Sequence, residues 1–197
     1  MIIRQIQVGA MAVFAYIVGD PESGEGLVID PAANTEEILK EAKREGLTIR
    51  TIVNTHAHPD HTGGNATMKE KTGAAIVIHE ADAQMLLSMP SAYLRMFGAL
   101  PSPSADLLVR EGDELKLGGT ALTVIHTPGH TPGGMCLYAD GAIFTGDTFG
   151  LSYRQLDVDG RQFVFPTTTP VQFDPDAMHQ SIDLLMSYSP RVMYLTH

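Results

Sequence analysis

The feature that most constrains this 197-residue chain is the six-residue run His56-x-His58-x-Asp60-His61. It follows directly on residues 49–53, an apolar stretch that reads as a buried strand. A loop leaving a strand end can aim several side chains at one point. Pro59 and then Gly63-Gly64 keep this segment a loop that turns into a helix. Imidazole and carboxylate donors suit Zn²⁺, Fe²⁺ or Mn²⁺ rather than Ca²⁺ or a thiolate-seeking metal. Taken alone, the run is also compatible with a solvated turn. Three further donors, however, stand at the ends of strand-like segments: His130 in Thr127-Pro-Gly-His130-Thr-Pro-Gly, Asp147 in Phe144-Thr-Gly-Asp147-Thr, and His197 after Val192–Leu195. Four strand ends that each carry His or Asp argue against coincidence, and the chain must fold so that they meet.

Composition removes whole classes of function. The chain has 13 Lys and Arg against 23 Asp and Glu, a formal net charge of −10. Such a balance, with no basic cluster, disfavours binding to nucleic-acid phosphates, and the expected partner is a small molecule. With 44% hydrophobic and 18% charged residues the chain is not disordered. Its length fits one domain over residues 1–197. No apolar run approaches the roughly 18 residues of a membrane-spanning helix. The single cysteine, Cys136, excludes an internal disulfide framework and a thiolate zinc cluster. Residues 11–18 after Arg4 loosely resemble a secretory leader. Gly9-Ala10 separates that stretch from the apolar Ile2, Ile3, Ile6 and Val8 before it, and Gly19-Asp20-Pro21 ends it as a turn would, so two strands of a hairpin explain it better. The expected location is the cytoplasm.

The rest of the chain reads as short strands, turns and a few helices. Strands are expected at 4–8, 11–18, 27–29, 49–53, 75–78, 107–109, 115–117, 121–125, 135–138, 142–144 and 192–195. Helices are expected after an Asn34 N-cap up to Gly46, from the histidine run to about Lys71, from Glu80 to Leu87, and from Pro175 to Tyr188. Alternating strand and helix blocks with many hairpins predict an α/β sandwich, helices flanking two packed sheets. Residues 88–106, rich in Pro and Ser but carrying Tyr93, Met96, Phe97 and Leu100, read as a surface excursion and a candidate lid. In the stretch 163–175, prolines are expected to prevent continued strand pairing.

Together, Thr55-His56-Ala57-His58-Pro59-Asp60-His61, the His130 loop, the Asp147 loop and the terminal Leu195-Thr196-His197 resemble the metallo-β-lactamase superfamily over essentially the whole chain. The nearest branch is the glyoxalase II-like hydrolases. The resemblance implies an αββα sandwich of two mixed β-sheets and two divalent ions, zinc foremost, with iron or manganese as alternatives. His56, His58 and His130 would bind the first ion, Asp60, His61 and His197 the second, and Asp147 would bridge them. Asp30 would support the ligand loop from behind. Two close dications lower the pKa of a shared water and polarise a carbonyl oxygen, so a bridging hydroxide can attack a thioester, lactone or other ester. Asp60 could also orient that hydroxide or shuttle a proton to the leaving group.

Other residues carry smaller expectations. Tyr153 and Arg154, after the Asp147 loop, are the candidate substrate contacts, a phenol to polarise a carbonyl and a guanidinium to hold an anion. His79, His126 and His179 are read as structural or surface residues and Cys136 as a small buried hydrophobe. The sequence stops without the C-terminal helical region that binds glutathione in glyoxalase II, so a glutathione thioester is not specifically expected. A ligand as the last residue leads to the expectation of a longer native chain. Two other functions are weighed against the hydrolase. One is an iron persulfide dioxygenase using His58, His130 and Asp147 as a facial triad, and the other is a non-catalytic metal-binding module.

Overall fold

The apolar runs are buried on both faces, and this decides the layering. In the computed structural model, which describes residues 1–168 and 171–197, six strands form one sheet in sequential order. They are β1 (Ile2–Val8), β2 (Val13–Gly19), β3 (Glu25–Ile29), β4 (Thr48–Val53), β5 (Ala75–His79) and β6 (Leu107–Val109). The first three pair antiparallel and β3 through β6 run parallel. The second sheet holds β7 (Glu114–Leu117), β8 (Thr120–His126), β9 (Met135–Ala139), β10 (Ala142–Gly146) and β11 (Val192–Leu195), in the order β11-β10-β9-β8-β7. Only β10 and β11 pair parallel there, so both sheets are mixed.

Alternation along each strand sorts side chains between two layers. Tyr16, Val18, Leu27, Ile29 and Val53 point between the sheets and meet Leu122, Val124, Leu137 and Phe144. Their neighbours Ile17, Val28, Ile52 and Ile76 point outward, against Ile38 and Ala42 of α1 (Thr35–Arg44) and Met68 of α3 (Asn65–Thr72). On the far side, Ile125, Cys136 and Ile143 pack on Leu185 of α6 (Pro175–Ser187). The result is the expected αββα sandwich. Among the described residues no helix is long and apolar enough to cross a membrane.

Local chemistry departs from the sequence reading in a few places. Asn34 stands at the N-cap position of α1 but takes a left-handed backbone (φ 53°) and makes no side-chain cap. Its Oδ1 instead accepts from Gly9 N at 3.2 Å, which ties the β1–β2 turn to the helix start. The segment after His58 is helical at once. The short α2 (Pro59–Thr62) places Asp60 and His61 on one turn, and α3 follows after Gly63-Gly64. Gly64 is required there, because a Cβ would come within 2.0 Å of Pro31 O in the turn after β3. The expected helix from Glu80 begins as a 3-10 turn (Glu80–Asp82) before α4 (Ala83–Ser88). Within 88–106 the excursion contains α5 (Ser91–Met96). In the proline-containing stretch 163–175, Phe165 makes an isolated bridge with Leu151, and Pro170 lies outside the described residues.

Candidate metal centre

Parallel strands deliver their carboxyl ends to one edge of a sheet. Adjacent strands β3, β4 and β5 therefore present Asp30, the His56–His61 run and the 3-10 turn bearing Asp82 side by side. The second sheet adds His130 after β8, Asp147 after β10 and His197 after β11. All seven candidate ligands converge. His56, His58, His61, His130, Asp147 and His197 are buried, and Asp60 is half-buried.

The donors form two linked groups. In the first, His56 Nε2 lies 3.0 Å from His58 Nδ1, which lies 3.1 Å from His130 Nε2. A tetrahedral ion holding nitrogens at about 2.0–2.1 Å spaces them by roughly 3.3 Å, close to this arrangement. In the second, Asp60 Oδ2 lies 3.8 Å from His61 Nε2 and 3.6 Å from His197 Nε2. Asp147 stands between the groups. Its Oδ2 is 3.4 Å from His130 Nε2, while Oδ1 is 3.5 Å from His61 Nε2 and 3.7 Å from His197 Nε2. Among the described residues, the buried side-chain atoms without a hydrogen-bond partner are His61 Nε2 and Asp147 Oδ1. Stranding a buried polar atom costs about 1–3 kcal/mol, so orphans that face each other fit a cation between them.

On His56, His61 and His130 the opposite ring nitrogen is tied down, which sets which nitrogen faces inward. His61 Nδ1 lies 3.0 Å from Asp30 Oδ2. Thr55 Oγ1 donates to the same oxygen at 2.7 Å, which leaves its lone pairs for His56 Nδ1–H at 3.1 Å. His130 Nδ1 faces the carbonyl of Thr167 at 3.4 Å. Asp30 also accepts from Thr55 N at 2.8 Å, so one wholly buried carboxylate fixes the loop and two rings.

Electrostatics divide the groups. Burial holds His56 well below the ordinary imidazole pKa, reinforced by His61 and His58. Burial and the neighbouring His130 lower His58 to about 4, and burial also lowers His130. These three are neutral, with lone pairs available. Burial opposes the charge on His61 too, but Asp147, Asp30 and Asp60 overcome it and push the ring up to about 10. Burial would raise Asp147, yet the surrounding imidazoles, His61 first, keep it below the usual carboxylate range.

Several of these supports escape a reading of the sequence. Wholly buried Asp82 accepts from Ala57 N at 3.0 Å, Thr131 Oγ1 at 2.9 Å and Gly133 N at 2.7 Å. It thereby joins the residue between His56 and His58 to those flanking His130. Gly133 permits this approach, since a Cβ there would lie 2.5 Å from Asp82 N. Asn54 and Asn65 exchange amide bonds at 3.1 and 2.7 Å, and Asn65 donates on to Ser102 Oγ at 2.9 Å. Thr167 also donates to the Asp147 carbonyl. A carboxylate 25 residues from its partner carries no local motif, so nothing short-range marks it.

The remaining candidates lie outside the donor groups. Tyr153 and Arg154 sit at the start of a second 3-10 turn (Arg154–Leu156) and line a cleft of about 770 Å³ that touches His197. His126 stacks on His79 with ring centroids 3.9 Å apart, and its Nε2 faces the Pro132 carbonyl. His179 is exposed on α6. Burial pushes the Cys136 thiol up to about 12, and it donates to Thr145 O, as expected of a core thiol.

Comparison with known proteins agrees with this geometry. The sequence pattern of the metallo-beta-lactamase superfamily matches residues 8–197. A hydroxyacylglutathione hydrolase of Polaromonas sp. is 38% identical over 153 residues, 75% of this chain and 52% of its own. The chain thus spans about half the length of such relatives. The crystal structure of the BLEG-1 B3 metallo-beta-lactamase superposes with a TM-score of 0.79 at 25% identity, over 100% of this chain and 91% of the other. TTHA1623 in a di-iron-bound form gives 0.77 at 27% identity, over 98% and 91%. A match across all the donor loops on the same two-sheet frame places this chain in the metallo-β-lactamase superfamily.

Proposed function

We propose that the chain is a metal-dependent hydrolase of a small carbonyl substrate, a thioester, lactone or other ester. His56, His58 and His130 would hold one divalent ion, Asp60, His61 and His197 a second, and Asp147 would be shared between them. Zinc suits this nitrogen-and-carboxylate set, and iron or manganese fits the same donors. The observation that carries the reading is a converging donor set in which the outward nitrogens of His56, His61 and His130 are pinned while His61 Nε2 and Asp147 Oδ1 face inward without partners. Hydroxyacylglutathione hydrolases among the relatives support the reaction class.

Two divalent ions supply Lewis acidity toward a carbonyl oxygen and a water activated near neutral pH. The chain's own residues do the rest. The inward-facing imidazoles and Asp147 fix where the carbonyl carbon must come. Asp60 is the least enclosed of the donors, and its free carboxylate oxygen can carry a proton toward the leaving group. Tyr153 and Arg154 would hold the polar end of the substrate in the cleft beside His197. Residues 88–106 would wall the opening on the His58 side.

The test is metal analysis of protein purified without chelator, followed by hydrolysis assays on thioesters, lactones and phosphodiesters. Two ions per chain and turnover of a thioester or ester are expected. One iron per chain with O₂ uptake on persulfide would overturn the reading in favour of the dioxygenase. Metal-replete protein inert on every ester would favour a non-catalytic metal-binding module.

A further inference from the structure

The donor groups open onto two clefts of different chemistry. The one touching His197, about 770 Å³, is mixed, setting Gln5, Gln7 and Arg154 beside Phe14, Phe149 and Val164. The other, about 440 Å³, touches His58 and is lined by Met85, Met89, Pro90 and Tyr93, with Ser88 and Gln172 as its other polar residues. Both volumes fall in the roughly 300–1,000 Å³ range of small-molecule sites.

The apolar cleft is built from the segment that leaves β5. Leu86 of α4 packs with Ala57 and Ile78, so the wall is anchored to the residue between His56 and His58. Met85 joins the same cluster from its edge and still faces the cleft. Across from α4, α5 brings Tyr93, whose ring stands edge-on against Phe97 at 5.0 Å. Unbranched, polarisable methionines adapt to apolar shapes without a fixed mould. An apolar recess opening directly onto a candidate metal ligand suits an apolar substituent of a reacting carbonyl.

We infer that this Met85/Met89/Tyr93 cleft is the subsite for an apolar substituent of the substrate, an aliphatic chain or aryl group, while the polar remainder lies toward Arg154. The inference rests on the hydrolase reading for the reaction, though not for binding. The substituent could belong to the acyl group or to the leaving group, and the experiment separates these.

Straight-chain carboxylates from acetate to octanoate are titrated calorimetrically into metal-replete protein. Two thioester series are assayed beside them, one lengthened in the acyl chain and one in the thiol. Affinity, and kcat/KM in one series, should rise about fourfold per added methylene until the cleft is filled. Met85→Gln and Met89→Gln should each flatten the slope measured within that variant. A flat response to chain length in the unaltered protein, or a slope unchanged in both variants, overturns the inference. If carboxylate affinity climbs while no thioester turns over, the subsite stands and the hydrolase reading falls. Hydrolysis with no dependence on chain length has the reverse meaning.

Discussion

The donor groups and the segment at 150–168 are neighbours built in opposite ways. Around the donors, Asp30, Thr55 and Asp82 tie loops from several strands together through buried bonds of 2.7–3.0 Å. The segment beyond Asp147 is held by far less. It has isolated bridges at Leu151–Phe165 and Val158–Arg161, Ser152 N donating to the His197 carbonyl at 2.9 Å, a short 3-10 turn, and Thr167 reaching back to His130 Nδ1 and the Asp147 carbonyl. Tyr153 is 39% exposed there, against 0% for His61. A site that must hold charges at fixed spacing needs many buried supports, whereas a surface that receives a substrate needs only the right residues at its rim.

That contrast predicts a gradient of mutational effects. The largest belongs to Asp147→Ala, which should cost the bridged pair, with metal content falling below two ions per chain by elemental analysis and hydrolysis disappearing. Unchanged stoichiometry would remove Asp147 from the bridge. Next is Asp82→Ala, which strands three buried donors at about 1–3 kcal/mol each. Metal affinity measured against a chromophoric chelator should fall about 10–100-fold, as for other supports behind ligands. Asp82→Asn should recover part of that loss through its one remaining acceptor oxygen. A variant that melts early but binds metal normally would reduce Asp82 to a packing role.

A smaller effect concerns pH. Burial, with help from His126, lowers His79 to about 4. A lowered native pKa means the unfolded chain binds the extra proton between about pH 6.5 and 4. His79 therefore contributes stability above that window, and the contribution is lost as pH falls through it. His79→Phe should lessen the acid sensitivity of unfolding over this range by an amount on the order of 1 kcal/mol. Parallel stability curves for the two proteins would refute it. Smallest of all are Tyr153→Phe and Arg154→Ala. Stability should stay within about 0.5 kcal/mol, with KM for an anionic substrate rising severalfold. Unchanged kinetics on such a substrate would take both residues out of the site.

How far the site can be read in the chain follows the same line. The convergence of the His56–His61 run, His130, Asp147 and His197 is legible because side chains that are to meet at one point leave strand ends in short loops, and such loops have their own Pro and Gly punctuation. Asp30 was legible only through the family resemblance. Asp82 and Asn65 carried no signal, since a buried carboxylate or amide is defined by partners 25, 49 or 37 residues away. Asn34 misled for a related reason. Its position is that of an N-cap, but the left-handed backbone turns its side chain to Gly9.

By itself the sequence determined the strand and helix periods, the two-layer burial and which residues are candidate donors, because alternation, turn residues and donor chemistry act over a few neighbouring positions. Only the tertiary structure decided the rest. Which nitrogen of His61 and His130 faces inward depends on Asp30 and Thr167 arriving from other loops, and the Thr55 hydroxyl beside His56 is itself held by Asp30. The opposite pKa shifts of His61 and His58 depend on three carboxylates surrounding one and on burial, reinforced by neighbouring imidazoles, at the other. The Met85/Met89/Tyr93 cleft beside His58 exists because two helices fold back over the ligand loop. Electrostatic fields and cavity walls are sums over residues distant in the chain, and no local pattern encodes them.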